Sequence, residues 1–101
     1  MTALSAPTSF DYSRWRHGGW YVGNVRYPSG ACGCVSRNYV DRKWRIACDP
    51  RPFETQPTFR TRDAAALGEW HLIQEIADAG GEAAYLATLK TKGATHVQPA
   101  A

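Results

Sequence analysis

Apolar and polar residues alternate in three short runs between Trp20 and Cys48, and beyond Thr61 the apolar spacing lengthens to that of a helix. Residues 20–27 predict a strand, with Tyr21, Val22, Val25 and Tyr27 favouring extended backbone and Gly18-Gly19 before it. Pro28-Ser29-Gly30 predicts a tight turn, because proline presets the first corner and glycine supplies the positive φ that follows. Residues 31–39 predict the second strand, Val40-Asp41-Arg42 the next turn, and 43–48 the third strand. Asp49-Pro50-Arg51-Pro52 ends it, since proline cannot donate to a ladder. At 100° per residue Ala65, Ala66, Trp70, Leu72, Ile73, Ile76 and Ala77 share one half of a helix, opposite His71, Gln74, Glu75 and Asp78. Thr61 suits the N-cap, Asp63 the first turn, and Gly80-Gly81 the stop. A short second helix is expected over 82–90, with Tyr85, Leu86 and Leu89 inward. The fold class is therefore α+β: a three-stranded antiparallel sheet packed by one main helix, with a short second helix. Residues 14–92 form the single domain, between flexible ends at 1–13 and 93–101, although Phe10, Tyr12 and Trp15 could dock.

One helix covers one side of a sheet, so the alternation decides what the other side offers. With Pro28-Ser29-Gly30 as a three-residue loop, Tyr27 opposes Ala31, Val25 opposes Gly33, and Gly23 opposes Val35. One face then holds Tyr21, Val25, Tyr27 and Val35, continued by Trp44, Ile46 and Cys48, with Gly23 and Gly33 admitting the helix. The other holds Trp20, Val22, Asn24, Arg26, Cys32, Cys34, Ser36, Asn38, Lys43 and Arg45. This requires one extra residue in the second turn; without it, Arg37 and Val35 join the free face. Arg and Lys stand on the free side in both registers.

The chain has 101 residues, 44% of them hydrophobic, and a net charge of +3. That suits one small domain and argues against global disorder. No apolar run reaches the roughly 18 residues of a membrane span, and the start lacks a signal-peptide plan. The net charge averages two unlike bodies. Residues 14–62 hold ten basic residues against three acidic ones, whereas 63–82 hold five acids and no Lys or Arg. Such asymmetry points to polyanion contact on the basic side, although small domains also segregate charge by chance.

Phe59-Arg60-Thr61-Arg62-Asp63-Ala64-Ala65, followed by Trp70, resembles the strand-to-helix junction of the arm-type DNA-binding domains of tyrosine-recombinase integrases. In those domains an aromatic-x-Thr-x-x-x-Ala segment opens the helix that packs a three-stranded sheet. Here the Trp lies later than that pattern expects, and no recombinase catalytic domain follows. The residues also resemble small phage and mobile-element proteins of actinobacteria. The resemblance implies non-catalytic binding of double-stranded DNA, with the free sheet face in the major groove. Asn24, Arg26, Ser36, Asn38 and Arg45 are then candidates for base edges. Arg14, Arg16, Arg42, Lys43 and Arg51 are candidates for phosphates, and Arg37 joins them on the basic surface.

The alternative is a phage or mobile-element accessory protein that binds and modulates a host protein. Four Trp and five Tyr exceed what one small core needs, and Trp15, Trp20 and Tyr39 are candidates for exposure. An exposed strand edge also permits a homodimer. Cys32-Gly33-Cys34 with Cys48 and a histidine could be written as a zinc site, but the one-residue gap is too short for paired zinc ligands. Three cysteines make an odd count, which reads as free, partly buried thiols in a reducing cytoplasm. No cofactor or metal is expected, nor an enzyme: His17, His71 and His96 are scattered, and no phosphate-binding glycine loop is present. Glu69 stands out, because its helical angle places a carboxylate within the apolar arc, where it must snorkel or find a partner.

Overall fold

The computed structural model describes residues 5–97, with the side chains of the last helix described as far as Leu89. The α+β class holds, but the sheet has four antiparallel strands, not three. In order they are β1 (Tyr12–Arg16), β2 (Gly19–Arg26), β3 (Cys32–Ser36) and β4 (Arg45–Ile46). The added strand is β1, which joins the last two residues of the expected flexible segment, Tyr12 and Ser13, to Arg14–Arg16, where no strand was expected. It is held because Gly23 N–H donates to Asp11 O at 2.7 Å, and because the Asn24 side chain spans Ser9 O and Asp11 N–H. The expected flexible ends extend into residues 1–4 and 98–101, which lie outside the described residues.

The register between β2 and β3 departs from the expected one. Near the turn Tyr27 N–H donates to Ala31 O as expected, but beyond it Val22 opposes Gly33 and Trp20 opposes Val35. From Val22 to Arg26, β2 advances four residues while β3 advances one, so Gly23, Asn24 and Val25 form a bulge. An odd insertion reverses the pleat, so Trp20 and Val22 turn toward the helix and Tyr21 turns out to solvent. The second turn does supply its extra residue: Val35 opposes Ile46, and Trp44, two residues earlier, packs on the same core.

The main helix, α1 (Arg62–Ala79), starts and stops as the sequence predicts. Thr61 Oγ1 accepts from Ala64 N–H at 3.0 Å, and Gly80 closes the helix in the left-handed region at φ 100°. Ala65, Ala66, Leu72, Ile73 and Ile76 are buried and Trp70 is half-buried; Ala77, expected inside, is exposed. The second helix, α2 (Glu82–Val97), runs past the expected end at Lys90, and Tyr85 packs against Leu72 and Ile76. No helix among the described residues is long and apolar enough to cross a membrane.

Two glycines set how closely α1 approaches. A Cβ on Gly33 would overlap the Glu69 carboxylate, and one on Gly68 would overlap the Phe59 ring. Phe59 is itself fixed by a two-way backbone pairing with Trp44, at 2.8 and 3.2 Å. Gly23, expected to admit the helix, instead packs against Asp11.

The side of β3 and β4 away from α1 is covered as well. Cys34, Ser36 and Arg45 alternate with the helix-facing residues, yet all three are buried. Cys34 is disulfide-bonded to Cys48, with Cα atoms 6.1 Å apart, and only Cys32 is free. This corrects the reading of three thiols, and with it the support they lent to a reducing compartment. The pairing was hidden because Cys34 and Cys48 lie 14 residues apart and come together only through the pairing of β3 with β4, which continues as Ala47 N–H donates to Cys34 O at 2.9 Å.

Two stability outcomes are expected. Helix propensity alone makes Gly68→Ala favourable by about 1 kcal/mol. Overlap with Phe59 should reverse the sign, to a loss of roughly 1–3 kcal/mol in denaturant unfolding. Reducing the disulfide, or replacing both cysteines by Ala, should cost about 3 kcal/mol for a loop of this length, seen as a lower thermal midpoint.

Candidate functional site

Several segments meet at one end of the sheet: β1, the β1–β2 turn, the start of β2, the loop between β3 and β4 with the start of β4, Phe53, and the first residue of α1. They line an open groove of about 1200 Å³. Five arginines border it (Arg14, Arg37, Arg42, Arg45 and Arg62), together with His17, and the single carboxylate is that of Asp41. Trp20, Tyr39, Trp44 and Phe53 supply the aromatic lining.

All of these arginines except Arg42 are held over aromatic rings. Arg14 lies 5.0 Å and Arg62 4.8 Å from the Trp20 ring centre, and Arg62 also stands 3.8 Å over Tyr12. Arg37 lies 5.9 Å over Trp44. A guanidinium retained on an aromatic face keeps its charge and loses less freedom when it meets an anion. Tyr12 ties β1 to the start of α1 by donating to Asp63 at 2.5 Å. Burial first, and Asp63 second, push its hydroxyl well above the usual tyrosine range, so it stays a donor. Asp63 is thereby engaged beside Arg62 without pairing with it.

Arg45 differs from the rest. It is buried, forms a 2.6 Å ion pair with Asp41, and lies 4.4 Å over Phe53 and 5.3 Å over Tyr39. Asp41 also accepts from Lys43 N–H at 3.0 Å, and this bond, joined by Arg45, holds its carboxyl below the ordinary carboxylate range. The pair shapes the β3–β4 loop and neutralises itself. Arg14, Arg37, Arg42 and Arg62 have no ion pair among the described residues.

The residues expected to meet DNA are therefore divided. Arg14, Arg37, Asn38 and Arg42 come together at the groove, with Lys43 exposed on the same loop. Ser36 and Arg45 are buried, and the Ser36 hydroxyl accepts from Asn38 N–H. Asn24 holds the segment before β1. Arg26 clamps the bulge and turn through Gly23 O and Gly30 O, at 3.0 and 3.1 Å. Arg51 forks onto the buried Asp49 carboxylate at 2.8 and 2.6 Å, and Arg16 lies 4.1 Å over Trp15. The expected continuous basic sheet face is thus not formed. The reversed pleat and the covering loops leave Trp15 and Tyr21 on the outer side of β1 and β2, 5.8 Å apart.

Arg62, Trp44 and Phe53 were missed as site residues. Arg62 carried one signal: it is a cation in the first helical turn, where the helix dipole disfavours it.

Glu69 is fully buried against Gly33, neither snorkelling nor paired with an arginine. Its Oε2 accepts from Tyr27 OH at 2.5 Å and from Cys34 N–H at 3.2 Å, while Oε1 has no partner. Among the described residues, no group of three His, Cys, Asp or Glu side chains is placed to hold a metal. Comparison with protein-family models, curated proteins and solved structures returns no match.

Burial pushes the Glu69 carboxyl from 4.5 up to about 7, with a smaller push from Asp49, against the two hydrogen bonds that favour the ion. The folded chain then keeps a proton that the unfolded chain releases. Stability should fall as pH rises from about 4.5 to about 7, by up to about 3 kcal/mol, and level off above. Glu69→Gln should flatten that segment of the curve, which urea unfolding at several pH values would show.

Proposed function

We propose that the protein is a non-catalytic double-stranded DNA-binding module that grips the phosphate backbone with the arginines of the groove. The observation that carries this reading is the set of four arginines, Arg14, Arg37, Arg42 and Arg62, gathered from β1, the β3–β4 loop and α1 without ion pairs. Like charges held together in this way favour a polyanion, and packing on aromatic rings keeps Arg14, Arg37 and Arg62 in place before it arrives. The sheet acts as the scaffold. Arg14 of β1, the loop and the first turn of α1 form the contact surface, so the DNA meets the end of the sheet and not its open face.

Neutralising about four phosphates gives a salt slope near −3.6, so affinity for a duplex should fall about 100-fold between 50 and 200 mM salt. Combining Arg14→Ala, Arg37→Ala and Arg42→Ala should reduce the slope by about 3, whereas Arg60→Ala, outside the groove lining, should leave it unchanged. Fluorescence anisotropy with a labelled 24-base-pair duplex measures both. Absence of binding at micromolar protein and 50 mM salt would overturn the proposal.

A second reading, attachment to a partner protein, draws on the Trp15–Tyr21 pair on the outer side of β1 and β2. Aromatic residues with a neighbouring arginine are favoured at protein interfaces. Under that reading a stoichiometric partner survives nuclease treatment in a pull-down and is lost on Tyr21→Ala, whereas the groove variants retain it.

A further inference from the structure

The loop between β3 and β4, residues 37–44, carries its most exposed side chain at its apex: Val40 makes no burying contact at all. An exposed valine has no meaning by itself. Here the loop that presents it is fixed. Tyr39 N–H donates to Arg37 O at 2.8 Å and Arg42 N–H to Tyr39 O at 3.0 Å, with Arg42 at φ 59°. Asp41 secures the returning limb through Lys43 N–H and the buried Arg45. An apolar tip is thus held in water on a bonded loop, with Arg37 on the limb before it and Arg42 and Lys43 on the limb after it, Asp41 between them being paired with Arg45. Asn38, two residues before the tip, is exposed, and its side-chain amide has no hydrogen-bond partner among the described residues.

Cations flanking an apolar tip match a groove of nucleic acid, where phosphates form the two rims and bases the floor. The major groove, about 12 Å wide, admits a loop of this kind, whereas the minor groove, about 6 Å wide, does not. On the major-groove floor of an intact duplex the one apolar group is the thymine 5-methyl. The adenine paired with it presents a donor and an acceptor that an asparagine amide matches.

Resting on the DNA-binding reading above, we infer that this loop reads an A·T pair from the major groove, with Val40 against the thymine methyl and Asn38 at the adenine edge. The ligand class narrows accordingly to thymine-containing duplex DNA. Duplexes that carry uracil in its place lack the methyl and lose the contact.

The test compares two 24-base-pair duplexes of the same mixed sequence, one containing thymine and the other deoxyuridine at every thymine position. Anisotropy at 50 mM salt should show the wild-type protein binding the thymine duplex about fourfold more tightly for one buried methyl. Val40→Ala should bind the two alike, with an unchanged thermal midpoint because the side chain is buried against nothing. Arg42→Ala should weaken both complexes and keep their ratio. Equal binding of the two duplexes by the wild-type protein, or a preference that survives Val40→Ala, would overturn the inference while leaving phosphate binding intact. Failure to bind either duplex would overturn the function proposed above, and this inference with it.

Discussion

Residues three apart in a regular strand point to opposite faces, yet Val22 and Val25 are both buried in one core. The bulge of Gly23, Asn24 and Val25 reconciles them, and the rest of the molecule depends on it. With an odd number of residues unmatched, the first half of β2 is turned over relative to the second. Trp20 therefore faces the helix side, where Arg14 opposite it and Arg62 from α1 can both lie against its ring. At the same irregularity Gly23 N–H and the Asn24 side-chain amide turn to the segment before β1. Those groups fasten residues 9–11, and β1 begins immediately afterwards. Without the bulge Trp20 and Val22 would face away from the helix, and Arg14, paired opposite Trp20, would be carried away from Arg62 with them.

A second constraint is the treatment of charge inside the fold. Three carboxylates are taken out of play in different ways. Asp49 is buried in a fork from Arg51, Asp41 is paired with buried Arg45, and Asp63 accepts from Tyr12. Each is spent on shaping a loop or a helix start. Glu69 is the exception, since its one neighbouring donor side chain is the neutral Tyr27, and burial then favours the protonated acid. A carboxylate tolerated on those terms is retained by geometry. Gly33 leaves the space that the carboxyl fills, and the acid in turn caps the Cys34 amide.

Much of this was legible in the chain. The helix limits at Thr61 and Gly80 and the turn at Pro28-Ser29-Gly30 follow from local chemistry that tertiary contacts left undisturbed. The shared face of Val35, Trp44 and Ile46, by contrast, was one of two open registers, decided by the extra residue of the second turn. The bulge was not legible, because it goes together with the pairing of Asn24 to backbone some fifteen residues earlier, which alternation cannot register. The burial of Ser36 and Arg45 escaped for a similar reason. Their polarity argued for solvent, but the rings of Tyr39 and Phe53 lie over Arg45, and the Ser36 hydroxyl is taken up by Asn38 N–H at the start of the loop. Arg14, Arg37 and Arg42 kept their expected exposure because nothing folds over them. Arg37 and Arg42 sit on a loop that leaves the sheet, and Arg14 lies on an edge strand.

The division of charge along the sequence becomes a division in space, and α1 is the element that produces it. Its first residue, Arg62, stands at the groove, while the exposed acids Glu75 and Asp78 lie toward its other end, roughly 20–24 Å along the axis at 1.5 Å per residue. That distance exceeds the screening length at physiological salt, so these acids do little to neutralise the arginines. Nor can they be brought nearer, because the apolar stripe that seats α1 on the sheet also fixes its direction. The groove arginines therefore repel one another in the free protein, and the packing of the core supports that cost. An anion in the groove removes the repulsion, so its binding and the stability of the fold are linked, each strengthening the other.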